Sequence, residues 1–313
     1  MIRSHRRDFL KTVLGGAAGL SLTTRLWGET GSTPITATKI ADNFALISGA
    51  GSNVVVLSTA DGLLMVNGGL PEYSAELLKL VSNQATPPGN PSAIQALFNT
   101  DWHLENTGSN DTLGKNGIKI YSHENTRLWM NTEIVVQWQR KTYPPRAKTA
   151  LPNQTIYTNN KITFGKEEVQ YGQLGQAHTD GDIFVFFPGP NILVTGDVFT
   201  VGSYPVMDWS TGGWIKGLSD ATRTLVNTAN PQTKIIGANG GVQPLTELKA
   251  QADMLAAMQA KFYEMIKKGM SASAMAAAAP TKDFDAKWGN PELFIANAYP
   301  GLWNHVREIG GIL

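Results

Sequence analysis

Short apolar runs, cut at close intervals by tight-turn residues, recur in two separate stretches of this chain. In the first, FALISG (44–49) and SNVVVLST (52–59) are followed by Asp61–Gly62 and then LLMVNGG (63–69). Two strand-like runs joined by Asp-Gly read as a hairpin, because that dipeptide accepts the positive φ of the tight turn. In the second stretch IFVFF (183–187) and NILVTG (191–196) flank a Pro–Gly turn. Their apolar residues do not alternate with polar ones, which predicts strands buried on both faces or nearly so. Between the two stretches, EYSAELLKLVSNQ (72–84) sets Leu77, Leu78 and Val81 on one helical face. PSAIQALFNT predicts a strand ending near Thr100, and GIKIYSH another. Further helices are expected after Gly202 through about Asn227, over 245–270, and near Pro291–Ala298, with a strand at TKIIGANGG (233–241). Residues 31–38 read as a polar linker, and AAAAP (276–280) as the start of another. Residues 124–160 read as a helix or extended segment and then a basic loop, either the roof of a binding site or an ordinary surface excursion. The sum is an α/β fold, two sheets with helices outside, and nothing marks a domain boundary after residue 40.

The composition narrows the chemistry. With no cysteine in 313 residues, disulfides, thiolate ligands and a cysteine nucleophile are excluded. Any metal must be held by histidine, carboxylate, amide, backbone or water. Five of the 26 basic residues (Arg3, Arg6, Arg7, Lys11, Arg25) and one of the 25 acidic ones (Asp8) lie in residues 1–28, leaving 21 against 24 and a net charge of −3. Such a body gives no electrostatic argument for nucleic acid or an anionic membrane. No nucleophile elbow, dinucleotide fingerprint or P-loop occurs.

The N-terminal positive charges belong to an address. Arg6–Arg7 precede Phe9, Leu10 and Lys11, and the longest uncharged run, Thr12–Thr24, is too short and too weakly apolar to span a bilayer. This resembles a twin-arginine export signal over residues 1–30. It implies a mature domain of residues 31–313, with a helical extension from about 245. That domain is expected to be periplasmic or secreted, without stable membrane insertion.

Candidate site residues stand after strand-like runs or in glycine-rich loops, where α/β folds gather chemistry. They are Asp101, His103, Glu105 and Asn106 in NTDWHLENTGSN, His178 in AHTDGD, Asp197 in VTGDVF, and Asn239 in IIGANGG. In their order and surroundings these segments resemble the metallo-β-lactamase superfamily over about residues 40–245. The family pattern is H-x-H-x-D-H, then a later histidine, a later aspartate and a last histidine. The resemblance implies a four-layer αββα metallo-β-lactamase sandwich.

The departures alter what it implies at the site. Asp101 stands for the first histidine, Glu105 for the aspartate, Asn106 for the adjacent histidine and Asn239 for the last, while His103, His178 and Asp197 are retained. Asn67 stands where members often carry aspartate. A two-zinc centre is therefore not expected. The expectation is at most one divalent ion, zinc first, then manganese or iron, held by Asp101, His103, His178 and possibly a fourth ligand, Asp197. Glu105 would orient water or act as base, and Asn106 or Asn239 would donate to an oxyanion. The implied function is hydrolysis of a small ester, lactone or amide. The alternative is a metal-free, non-catalytic protein that binds a small molecule or serves as structure.

Overall fold

The computed structural model describes residues 34–85, 88–90 and 93–309. The export-signal reading falls outside the described residues. Strands β1 (Thr36–Ala41), β2 (Phe44–Ala50), β3 (Ser52–Thr59) and β4 (Gly62–Val66) form an antiparallel meander, with Asp61–Gly62 at the predicted turn. Helix α1 (Ser74–Ser82) then leads to β5 (Ile94–Phe98). Two short helices, α2 (Leu104–Thr107) and α3 (Asn110–Lys115), precede β6 (Lys119–His123), and α4 (Glu124–Met130) follows it. Strands β7 (Ile134–Val136) and β8 (Lys141–Tyr143) pair only with each other, and β9 (Gln154–Ile156) returns to the first sheet. That sheet has the order β1-β2-β3-β4-β5-β6-β9, parallel from β4 onward.

The second sheet comprises β10 (Asn160–Phe164), β11 (Glu167–Gln173), β12 (Ile183–Phe187), β13 (Ile192–Gly196) and β14 (Lys234–Gly237), in that order. Only β13 and β14 run parallel. Helix α5 (Ile215–Thr228) crosses between them, and α6 (Leu245–Lys267), α7 (Ala272–Ala277), α8 (Asp285–Trp288) and α9 (Glu292–Asn304) follow.

Burial with a period of two builds the layers. Phe44, Leu46, Val55, Leu57, Leu64, Val66 and Phe98 face Val169, Ile183, Val185, Phe187, Val194 and Ile236 across the sandwich. The alternate residues Ile47, Val54, Val56, Leu63 and Met65 pack outward on Leu77 and Val81 of α1. On the other outer face Phe184, Phe186 and Leu193 meet Leu218 and Leu225 of α5, Met254, Leu255 and Met258 of α6, and Phe294 of α9. The result is helix, sheet, sheet, helix, as the resemblance implies. A chain buried on both faces of both sheets needs the uninterrupted apolar runs seen in β3, β12 and β13.

Three expectations are corrected. Residues 36–38, read as linker, belong to edge strand β1. Its TATKIA sequence is mostly exposed, only Ile40 and Ala41 pack against the core, and pairing with β2 defines it. The linker expected from AAAAP begins after another helix, α7, capped by the Ser271 side chain accepting from Ala274 N–H. The final helix runs on to Asn304 with Pro300 inside it.

Topology also determines where loops meet. β4 and β5 are parallel, as are β13 and β14, so the C-terminal ends within each pair lie side by side. Ile183 N–H donates to Thr100 O at 2.9 Å, and Asn53 N–H to Ala238 O at 2.8 Å, stitching the sheets together there. No helix among the described residues is long and apolar enough to cross a membrane.

Candidate metal centre

The loop after β5 is set by its own polar groups. Asn67 adopts φ 69°, a left-handed conformation that asparagine tolerates better than branched residues. Its Oδ1 accepts from both Thr100 N–H and Thr100 Oγ1 at 3.0 Å. Asn99 and Asn110 exchange amide hydrogen bonds at 2.7 and 3.0 Å, and Asn99 Nδ2 also donates to Asn106 O. These buried amides fix the chain from 99 to 110, so Asp101, His103 and Asn106 are held by backbone anchored at both ends. Across the cleft, Gly196 turns Asp197 into the same space at φ 58°. A Cβ there would lie 2.5 Å from Thr100 Cβ, which excludes any other residue without movement of the loop.

Asp101, His103 and His178 are brought together, each offering a ligand atom within 4.8 Å of the other two. All three are buried. Asp101 Oδ1 accepts from His103 N–H at 2.8 Å, and its Oδ2 from Asn106 Nδ2 at 2.8 Å. His103 Nε2 donates to Asp208 Oδ2 at 3.1 Å, which turns Nδ1 toward the cluster's other side, 3.6 Å from Glu105 Oε1. His178 Nδ1 donates to Val206 O at 2.8 Å, and its Nε2 is buried with no hydrogen-bond partner.

The retained Asp197 is joined to the set through Asn106, whose Nδ2 also donates to Asp197 Oδ2 at 2.7 Å. Asp197 Oδ1 and Asn106 Oδ1 are buried without partners. Asn239 is exposed, and its amide is used elsewhere: Val201 N–H donates to its Oδ1, and its Nδ2 donates to Val201 O.

These placements test which ions the residues suit. One ion fits. An unpartnered imidazole nitrogen, a second imidazole aligned from behind by a carboxylate, and a third, anionic donor converge in a buried space, and each imidazole is oriented by a bond at its other nitrogen. The second position is poorer: Asn106 Nδ2 is spent on Asp101 and Asp197, and Asn239, which stands for the family's last histidine, is bonded to Val201 instead. The same geometry shows where the amides expected to serve an oxyanion, those of Asn106 and Asn239, are bonded. Both Asn106 amide hydrogens are taken by carboxylates, and the Asn239 amide is spent on Val201.

Electrostatics follow from burial and pairing. Burial acts to raise the Asp101 carboxyl, but His103, His178 and the bond from Asn106 outweigh it and hold it below its ordinary value. Burial also acts to lower His103, yet its bonds to Asp208 and Glu105 lift it well above the ordinary imidazole range. Asp197 is pushed up to about 7 by burial and by the charge of Asp101. Asp182, which accepts from Thr179 N–H and Oγ1, is also raised to about 7, chiefly by burial. Protonated His103 and Asp208 therefore balance one another when no cation is present.

Asp208 escaped the sequence reading. It lies in PVMDWST and takes four hydrogen bonds: His103 Nε2 and Thr211 Oγ1 at Oδ2, Trp138 Nε1 and Ser210 N–H at Oδ1. Its only local signal is a cap, an aspartate two residues before the serine whose N–H it accepts. The β7–β8 ribbon packs on the loop that carries Trp102 and reaches the site through Trp138, whose Nε1 donates to Asp208 Oδ1. Ile134, Val136 and Tyr143 cluster with Trp102 and Met130, and Tyr143 meets Trp102 edge-on at 5.3 Å.

The family described as the metallo-beta-lactamase superfamily matches residues 48–237. Among solved structures, the chain is similar to a metallo-beta-lactamase from Pontibacter korlensis, at 17% identity and TM-score 0.56, covering 71% of this chain and 99% of that one. It is similar to the metallo-beta-lactamase IND-7 at 17% identity and TM-score 0.55, covering 72% and 99%. The DIM-1 metallo-beta-lactamase matches at 14% identity and TM-score 0.55, covering 71% and 97%.

Proposed function

The chain belongs to the metallo-β-lactamase superfamily, and from that premise we propose that it hydrolyses a small ester, lactone or amide with one divalent ion in place of two. The observation that carries this reading is the convergence of Asp101, His103 and His178 on a buried space where His178 Nε2 has no partner. Asp101, His103 through Nδ1 and His178 through Nε2 would hold the ion, with zinc the first choice and manganese or iron the others. When bound, such an ion acidifies a water and polarises an acyl oxygen.

The chain's own groups supply the rest. Asp208 keeps the His103 ring in one orientation, and Val206 O does the same for His178. Glu105, beside His103 Nδ1, is placed to orient water or to take its proton. Asp197, whose Oδ1 is buried without a partner while its Oδ2 accepts from Asn106, is placed beside the cluster to take a proton. Asn106 keeps Asp197 and Asp101 together without a second cation. With the β7–β8 ribbon as roof, Tyr143 and the Trp102 it packs on exclude bulk water, which strengthens each of these interactions.

A second reading rests on a different observation. Asn106 between two aspartates, and His103 between Asp208 and Glu105, satisfy much of the cluster with no ion at all. On that reading the fold binds a small molecule without turnover. Titration of the purified chain with zinc, manganese and iron(II), followed by ester, lactone and amide panels, separates the two. The hydrolase reading expects saturable uptake and metal-dependent turnover, and absence of uptake of any ion defeats it. We further propose that the protein works in the periplasm or outside the cell, on the strength of Arg6–Arg7 and the weakly apolar run after them.

A further inference from the structure

We propose that Arg146 anchors a carboxylate on the substrate, which makes the chain selective for small anionic acyl compounds. The inference deepens the hydrolase reading and rests on it for the word substrate. Arg146 follows β8 in the roof, and its backbone N–H donates to Met130 O at 2.8 Å, tying it to the end of α4. Its guanidinium carbon lies 5.7 Å from the centre of the Tyr143 ring. Tyr143 contacts Trp102, and the Trp102 ring lies 4.3 Å from that of His103. Arg146 is therefore two aromatic rings away from the cluster.

Its Nη2 is buried and has no hydrogen-bond partner. None of the ion pairs among the described residues includes it. An unpaired buried guanidinium nitrogen calls for an explanation, since native proteins rarely leave one unmatched. The contact with the Tyr143 ring accounts for the position of the guanidinium but not for a shielded N–H left unpaired. Glu105 is close enough to feel its charge but does not pair with it. The fork of a guanidinium matches a planar carboxylate in two parallel hydrogen bonds. Asp101, Asp197 and Asp208 are turned to Asn106, His103, Thr211 and Trp138, and a ligand carboxylate would supply the partner that Nη2 lacks.

The test compares 4-nitrophenyl hydrogen glutarate with the neutral 4-nitrophenyl butyrate on the zinc-loaded full chain, native and with Arg146→Gln or Arg146→Lys. A charge-assisted bond of this kind corresponds to roughly 10- to 100-fold in affinity. Arg146→Gln should raise KM for the glutarate ester by that factor and leave the butyrate ester within about threefold, with kcat little changed. Arg146→Lys should recover part of the loss. A purely structural role would impair both esters alike, and that result overturns the proposal. Calorimetric titration of the chelator-treated chain with glutarate, and separately with inorganic phosphate, needs no turnover. Glutarate binding that is lost in Arg146→Gln supports the anchor even if no ester is hydrolysed, in which case only the hydrolase reading fails. Equal glutarate binding by native and Arg146→Gln protein, or phosphate binding tighter than glutarate, refutes the carboxylate anchor.

Discussion

Replacing Asp208 by asparagine removes a charge and one acceptor from the middle of the candidate site while barely changing volume. In the native chain Oδ2 accepts from His103 Nε2 at 3.1 Å and Thr211 Oγ1 at 3.0 Å, while Oδ1 accepts from Trp138 Nε1 at 3.0 Å and Ser210 N–H at 3.1 Å. An asparagine has a single acceptor oxygen. If it serves His103 and Thr211, the new NH2 faces the indole and backbone donors; if it is turned over, the NH2 faces the imidazole and the hydroxyl. In the first orientation two hydrogen bonds become donor-to-donor contacts; in the second only the contact with protonated His103 does, since the Thr211 hydroxyl can turn to accept, and in both buried His103 loses its counter-charge. Breaking one side of a buried charged pair costs about 3–5 kcal/mol. Loss of a carboxylate that orients a ligating imidazole lowers metal affinity by about 10- to 100-fold. Urea unfolding in the presence of chelator measures the first effect, and competition against a chromophoric zinc chelator measures the second. A stability change below about 0.5 kcal/mol together with unaltered zinc affinity would refute the role assigned to Asp208.

Other expectations follow from the same groups. Folded Asp182 and Asp197 keep their protons up to about 7, whereas unfolded aspartates release theirs near the ordinary 3.8. The folded state therefore holds the extra protons, and that stability is present at low pH and lost as pH rises through about 7. His103, raised by Asp208 and Glu105, acts in the same direction. The metal-free chain should lose about 1 kcal/mol per aspartate between pH 6 and 8, read as a falling urea midpoint; a rising midpoint contradicts these assignments. Metal uptake should show the opposite trend and weaken on acidification, because protons on the two histidines compete with the ion. Zinc affinity that is flat from pH 8 to 5.5 would count against imidazole ligation. For export, changing Arg6 and Arg7 together to lysine should leave precursor in the cytoplasm on cell fractionation. Normal export of that variant would exclude the twin-arginine route.

Much of the sandwich could be read in the sequence because its strands carry their own punctuation. β3 and β4 are apolar runs closed by Asp61–Gly62, and β12 and β13 flank a Pro–Gly turn, so local chemistry and burial agree. β1 was illegible for the opposite reason. Its side chains face mostly outward, and only pairing with β2 makes it a strand. At the site, motif order identified Asp101, His103 and His178, whose atoms the fold gathers. It could not identify Asp208 or Trp138, because their roles consist of bonds across 105 and 70 positions in the chain. Asn239 shows the converse: its loop resembles the family's last ligand loop, but the side chain's direction depends on Val201, 38 residues away. Arg146 sits in a segment without regular periodicity, where sequence gives no register from which to place it.

We propose one ion per chain, because Asp101, His103 and His178 converge while the Asn239 amide is spent on Val201. Elemental analysis of the purified, zinc-saturated chain, run beside Asp101→Ala, tests it most directly. One zinc per native chain is expected, and loss of that zinc in the variant. Two tightly held zinc ions in the native chain, or an undiminished single zinc in Asp101→Ala, would contradict it.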